Sequence, residues 1–212
     1  MEEWRKVEAF GLAVFAFFYT FVLLGALYLG VTPFVRLAFF AIVFLFCVLV
    51  LWVMIDRLDI PVFRVDAPVV IATVLGAVMI FFMMLIPWLA SWVVANLGII
   101  MPQMSVDYLA TTLLFVSVTE SMLKFIWVHA ARELGLGWSG GIITAGIGFA
   151  LMHVYRYGFG PAFWYVMILG FILLSMGRLP KVLGSKYEYS LHPLVAAHTV
   201  HNLMVPAASV LL

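Results

Sequence analysis

The chain has 212 residues, 67% of them hydrophobic and only 10% charged, with a net charge of +1 and a mean hydropathy of +1.21. A water-soluble domain carries about 25% charged residues, so this composition excludes one, and without a basic tract nothing points to a nucleic-acid partner. The apolar runs are long and unbroken, not alternating segments of about ten residues, which speaks against a transmembrane barrel and for an all-α bundle in a lipid bilayer.

In chain order, apolar runs punctuated by Pro, Gly and charge predict about seven transmembrane spans, near 8–30, 33–55, 67–97, 107–130, 139–157, 161–177 and 189–211. Residues 1–212 therefore read as a single polytopic membrane domain. The first run follows Arg5 and Lys6 and lacks a small-residue cleavage site, so it is expected to remain as a span and not to be removed as a signal peptide. Cys47, the lone cysteine, lies mid-span and reads as an apolar core residue. Pro87 is expected to kink the third span. With the N-terminus inside, Arg5, Lys6, Arg57, Arg64, Arg132, Arg178, Lys181 and Lys186 face the cytoplasm, against Arg36 and Arg156 outside. The linker GIIMPQMSVD, residues 98–107, then lies outside without a Lys or Arg. The expected topology is N-in and C-out, in the cell membrane.

A charged side chain at mid-bilayer costs at least about 2.5–3.5 kcal/mol on insertion scales, so each one calls for a partner or a function. In span four, TTLLFVSVTESMLKFIW contains Ser117, Thr119, Glu120, Ser121 and Lys124. Glu120 and Lys124 share a helix face and can pair. In span five, GIGFALMHVYRYG carries His153, with Phe149 one turn before it and Arg156 and Tyr157 one turn after. In span seven, LVAAHTVHNLM places His198 and Asn202 on one face, which His201 partly shares.

At 1.5 Å per residue, Glu120 lies about 18–20 Å from the outer start of its span, and His153 and His198 about 18–21 Å and about 13 Å from the inner starts of theirs. In a hydrocarbon core about 30 Å thick, all three fall near mid-membrane and can meet in one polar pocket. There a carboxylate can act as general base on water, and a cation such as Lys124 can hold it ionised. Imidazole and carboxamide donors can stabilise the oxyanion that forms when water attacks a peptide carbonyl. The plainer alternative is a set of interhelical hydrogen bonds, at about 0.6 kcal/mol each, that hold the bundle together.

The order and spacing of TESMLK, FALMH and HTVHN resemble the CAAX-protease and bacteriocin-processing (CPBP) family of intramembrane proteases, whose motifs are EExxxR, FxxxH and HxxxN. Phe149 and His153 match the second motif, and His198 and Asn202 the third. SLHPLVAAHTVHNLM also looks like the family's segment leading into that motif. The resemblance covers about residues 107–205, within a four-helix catalytic core at 107–212; the three spans of residues 1–106 carry no family signal. It implies a metal-independent endopeptidase that needs no cofactor and cuts near the membrane surface in a membrane-associated peptide or protein. By that resemblance Glu120 activates water, His153 assists or positions it, and His198 and Asn202 form the oxyanion hole. The first motif departs from the pattern. Aligning Lys124 with the family's arginine puts Glu120 at the second glutamate and Thr119 at the first, which usually activates water. Setting Glu120 first instead puts Ser121 at the second glutamate and Phe125 at the arginine.

Other chemistries fit less of the sequence. GWSGG, residues 137–141, matches the serine motif of rhomboid proteases, but their HxxxN precedes the serine, and Ser139 lies about 21 Å of helix below His153. Glu120, His153 and His198 could supply three zinc ligands with an open position, although no HExxH accompanies them. Two facing histidines could also bind haem. His129 and His192 lie near the inner interface and read as structural. Gly141, Ala145 and Gly148 recur at helical spacing and would let span five approach a neighbour closely. A non-enzymatic alternative keeps the same half-bundle as an inactive scaffold that grips a partner's transmembrane helix. No feature of the sequence specifies an oligomeric state.

Overall fold

In a lipid environment every backbone N–H and C=O must be satisfied within the chain, so long apolar runs interrupted only at their ends become helices. The computed structural model describes residues 2–28, 33–86, 89, 91–92, 95, 116–154 and 158–211. Pro87, the 98–107 linker, residues 107–115 of span four, and Arg156 and Tyr157 lie outside the described residues. The helices are α1 (Glu2–Tyr28), α2 (Pro33–Leu58), α3 (Ala67–Met84), α4 (Val118–Ala131), α5 (Gly137–Met152), α6 (Pro161–Met176), the single turn α7 (Leu179–Val182) and α8 (Leu191–Leu211). Among the described residues there is no strand. Among the described residues, three stretches, Ala38–Leu58, Ala67–Met84 and Val118–Leu151, are long and apolar enough to cross a membrane, and Pro161–Met176 is a shorter apolar helix. The chain is thus an all-helical protein of membrane type.

Val118–Leu151 is one run by hydropathy but two helices in space. A π-helical turn at Arg132–Leu136 breaks at Gly135 (φ 94°) and Gly137 (φ 65°), left-handed conformations that glycine adopts without a Cβ clash. The chain folds back there, and α5 returns along α4. The close approach uses two of the small residues singled out by their spacing. A Cβ on Gly141 would sit 2.7 Å from the Val128 carbonyl oxygen, and one on Gly148 would fall on the Trp127 ring. The α5 helix ends at Met152, with His153 as its C-cap, whereas the sequence suggests a span to about 157; residues 155–157 lie outside the described residues. Gly158 (φ 57°) precedes α6, whose first residue is Pro161.

The α4 helix is central, packed by α1, α2, α5 and α8, while α8 also packs on α3 and α6. That placement follows from its composition, because a helix carrying Thr119, Glu120, Ser121 and Lys124 must keep them from lipid. Glu120 and Lys124 are each 4% exposed, whereas Leu45 on α2 is 64% and Phe82 on α3 is 61%. Polar groups inside and large apolar groups outside is the reverse of a soluble fold and matches a lipid-facing surface. Cys47 is buried and unpaired in the apolar core, as its sequence context suggests.

Many of the basic residues assigned to the cytoplasmic side gather through a few contacts. Arg132 and Arg178 lie over the Trp138 ring at 4.7 and 5.3 Å. Asp66 caps α3 by accepting from the Val69 N–H at 3.0 Å and also accepts from Ser185 Oγ at 2.7 Å, which joins the α2–α3 turn to the segment before α8. Arg5 donates to the Leu58 carbonyl at 3.3 Å.

Glu188 pairs with Lys181 at 2.7 Å and with Arg178 at 2.9 Å, and these cations, Lys181 first, hold its carboxyl below the usual carboxylate range. A lowered native value means that the pairing is fully present above the unfolded glutamate value of about 4.3 and is lost as pH falls through the native one. Melting curves of wild type and Glu188→Gln should therefore differ slightly at pH 7 and converge as the pH is lowered below about 4. The difference is small because the pair is solvent-screened.

Candidate functional site

The polar residues of α4 lie on the face that meets α5 and α8. Glu120 and Lys124, one helical turn apart, bring Oε2 and Nζ to 3.6 Å, an ionic contact slightly longer than a hydrogen bond. From α8, His198 places Nε2 3.4 Å from the same Glu120 oxygen. Its other ring nitrogen, Nδ1, lies 3.2 Å from Ser121 Oγ, and that hydroxyl is also 2.6 Å from the Ser117 carbonyl, to which it can donate. When Ser121 donates to Nδ1 instead, the imidazole carries its proton on Nε2, facing the carboxylate. One residue from each of two helices, Glu120 and His198, thus forms a buried acid and base pair with a cation beside it.

From α5, the Phe149 ring lies 3.5 Å below Lys124 Nζ, a cation–π contact in a site where few other groups could solvate an ammonium. His153, just past the last turn of α5, donates from Nδ1 to the Phe149 carbonyl at 2.7 Å, and its ring sits 4.5 Å from the Phe149 ring. The Nδ1–H bond leaves Nε2 as an acceptor, the form needed to take a proton from water. His153 is 6% exposed and joins the cluster through Phe149.

Asn202, one turn beyond His198 on α8, donates from Nδ2 to Ser117 Oγ at 3.0 Å. Its Oδ1 lies 3.1 Å from His201 Nδ1, and His201 Nε2 lies 2.8 Å from the Tyr165 hydroxyl of α6. Glu120, Lys124, His198 and Asn202 are therefore brought together around α4, with Phe149 and His153 attached on the α5 side. Thr119 is fully buried, and its Oγ1 has no hydrogen-bond partner among the described residues. No family model, curated protein or solved structure matches this chain. What it does must therefore be argued from these side chains.

Ser117, Ser121, His201 and Tyr165 are the members that sequence reasoning left without a role. The two serines were visible at helical spacing beside Glu120, a usable signal, since a hydroxyl in an apolar span needs a partner. Tyr165 gave none, because a tyrosine in an apolar helix reads equally well as an interfacial side chain. Among the described residues, no three His, Cys, Asp or Glu side chains form a group able to hold a metal ion, which gives the zinc alternative no support. His129 is buried against Phe125, Trp138 and Tyr189, with ring centroids at 4.3, 5.0 and 5.7 Å, and belongs to an aromatic cluster outside the site. His192 lies 3.2 Å from Ser190 Oγ.

A cavity of about 710 Å³ opens between α3 and α6, walled by apolar residues such as Met83, Trp92, Trp164 and Ile168. Tyr165 lines it while bonding to His201, so one side chain borders both the apolar cavity and the polar cluster.

Proposed function

We propose that this chain is an intramembrane endopeptidase of the CPBP type, which hydrolyses a peptide bond in a membrane-associated peptide or protein. The observation that carries this is the buried triangle in which one Glu120 oxygen lies 3.4 Å from His198 Nε2 and 3.6 Å from Lys124 Nζ. Glu120 takes the proton of an attacking water, which His153 holds, and His198 and Asn202 donate to the carbonyl oxygen as it becomes an oxyanion; as the oxyanion collapses and the C–N bond breaks, Glu120 gives that proton to the leaving amine nitrogen. Lys124 keeps the carboxylate ionised and is otherwise a positioning residue. The 710 Å³ cavity supplies an apolar bed for the substrate chain. The wider arrangement is seven spans with the N-terminus inside, in the cell membrane; the clustering of Arg132 and Arg178 around Trp138 supports that orientation.

A second function is favoured by a specific observation. Glu120 is already engaged by Lys124 and His198, and the first glutamate of the motif is replaced by Thr119 in one register. In an inactive scaffold, the same contacts would only hold α4, α5 and α8 in place around a partner's transmembrane helix.

Glu120→Gln separates the two. The enzyme should lose at least about 100-fold in cleavage of peptides embedded in vesicles while it still folds, with a lowered melting temperature because the buried Lys124 loses its carboxylate partner. Full retention of cleavage would remove Glu120 from catalysis. A wild type that cleaves no member of a membrane-peptide library, but co-purifies with a transmembrane partner that Glu120→Gln also retains, would establish the scaffold.

A further inference from the structure

The geometry points to Tyr165 and His201 as positioning residues that fix the carboxamide of Asn202 through a hydrogen-bond chain of defined polarity. The chain runs from Tyr165 OH to His201 Nε2 at 2.8 Å, from His201 Nδ1 to Asn202 Oδ1 at 3.1 Å, and from Asn202 Nδ2 to Ser117 Oγ at 3.0 Å. It joins α6 and α8 to Ser117, the N-cap of α4. Both nitrogens of His201 are used, and its side chain is buried.

Two polarities satisfy these distances, and they are mutually exclusive. In the first, Tyr165 donates to Nε2, which must then be the bare nitrogen, so Nδ1 carries the proton and donates to Asn202 Oδ1. The amide oxygen is occupied, and Nδ2 is turned towards Ser117, with no acceptor for its second N–H among the described residues. In the second, every bond reverses: Nε2–H donates to Tyr165, the carboxamide flips, and Ser117 donates to Oδ1. Among the described residues, the tyrosine proton would then have only the Met84 sulfur, 3.9 Å away, as acceptor. A phenol is a strong donor, an imidazole nitrogen a strong acceptor and a thioether a weak one, so the first polarity wins.

The consequence for Asn202 is orientation. A free carboxamide can present either its oxygen or its nitrogen, and only the nitrogen can donate to an oxyanion. The chain removes that ambiguity from a distance, with Tyr165 at the border of the apolar cavity. The catalytic part of this inference rests on the endopeptidase proposal; the polarity of the chain does not.

The test uses the full-length protein in detergent micelles with ¹⁵N-labelled histidine and asparagine. In the wild type, His201 should show a protonated Nδ1 and a bare Nε2, and Tyr165→Phe should shift both ring nitrogens towards a tautomer average and move the Asn202 side-chain amide resonance. With a cleavable peptide, Tyr165→Phe should lower kcat about fivefold to tenfold at unchanged KM, roughly the worth of one hydrogen bond. His201→Asn, which keeps a donor at the place of Nδ1, should retain kcat within about threefold, whereas His201→Phe should lose at least about tenfold. A wild-type His201 protonated on Nε2 overturns the inference, and so does a Tyr165→Phe protein with unchanged ring shifts. The expected tautomer in a protein that cleaves nothing would uphold the chain and remove the endopeptidase proposal.

Discussion

Replacing Lys124 with Met is expected to destabilise the fold by about 3–5 kcal/mol, a large effect for a single substitution. The reason is burial. Glu120 and Lys124 are each 4% exposed, so removing the ammonium leaves a carboxylate in a low-dielectric interior with only the His198 imidazole beside it. The 3.6 Å separation means that the attraction is Coulombic, without a hydrogen bond to lose. What is lost is compensation for a charge that cannot return to water. The double substitution Glu120→Gln with Lys124→Met removes both charges and should recover most of the stability, since a buried pair replaced by neutral groups of similar volume is often no less stable. Reversible unfolding in mixed micelles of all four proteins gives the coupling energy directly. A double variant as unstable as Lys124→Met alone would show that the uncompensated Glu120 charge is not what destabilises that substitution.

Gly141→Ala is expected to cost about 1–3 kcal/mol, although alanine is the better helix former by about 1 kcal/mol. The added methyl would sit 2.7 Å from the Val128 carbonyl oxygen and 3.3 Å from the Val128 Cα. Both are backbone atoms of α4, so no side chain can swing aside, and α5 must move off. That movement would also draw Phe149 away from Lys124, so loss of stability should be accompanied by disturbance of the site. Gly11→Ala is the control: nothing lies within 4 Å of a Cβ there, and the sign should reverse, with a gain of up to about 1 kcal/mol. Equal melting temperatures for Gly141→Ala and wild type would show that the α4–α5 contact yields easily.

Much of the architecture is legible in the sequence. The positions of α2, α6 and α8 and the start of α3 follow from apolar runs ended by Pro, Gly or charge, because lipid leaves an apolar segment no backbone partner but itself. The third run, expected to continue to 97, instead breaks where α3 ends at Met84, with Leu85 as its C-cap. The pairing of Glu120 with Lys124 was legible too, being a one-turn relation along a single helix. The polarity of α4 implied that it would be interior, and it is. The reversal between α4 and α5 was less visible, since ELGLGWSGG contains glycines at several positions and only φ distinguishes Gly135 and Gly137 as the turning residues.

By itself, the sequence determined that this is a helical membrane protein, and it determined which polar side chains would have to be hidden from lipid. Both follow from composition and helical spacing, which act locally along the chain. Only the tertiary structure decided which of those side chains meet. That His198 reaches Glu120 across two helices, that Ser121 and Ser117 bridge α4 to α8, and that His201 is held by Tyr165 from α6 are outcomes of helix packing. The small residues of α5 and the burial of α4 set that packing; spacing within one segment shows that it can approach a neighbour closely but not which side chains of another helix it will meet.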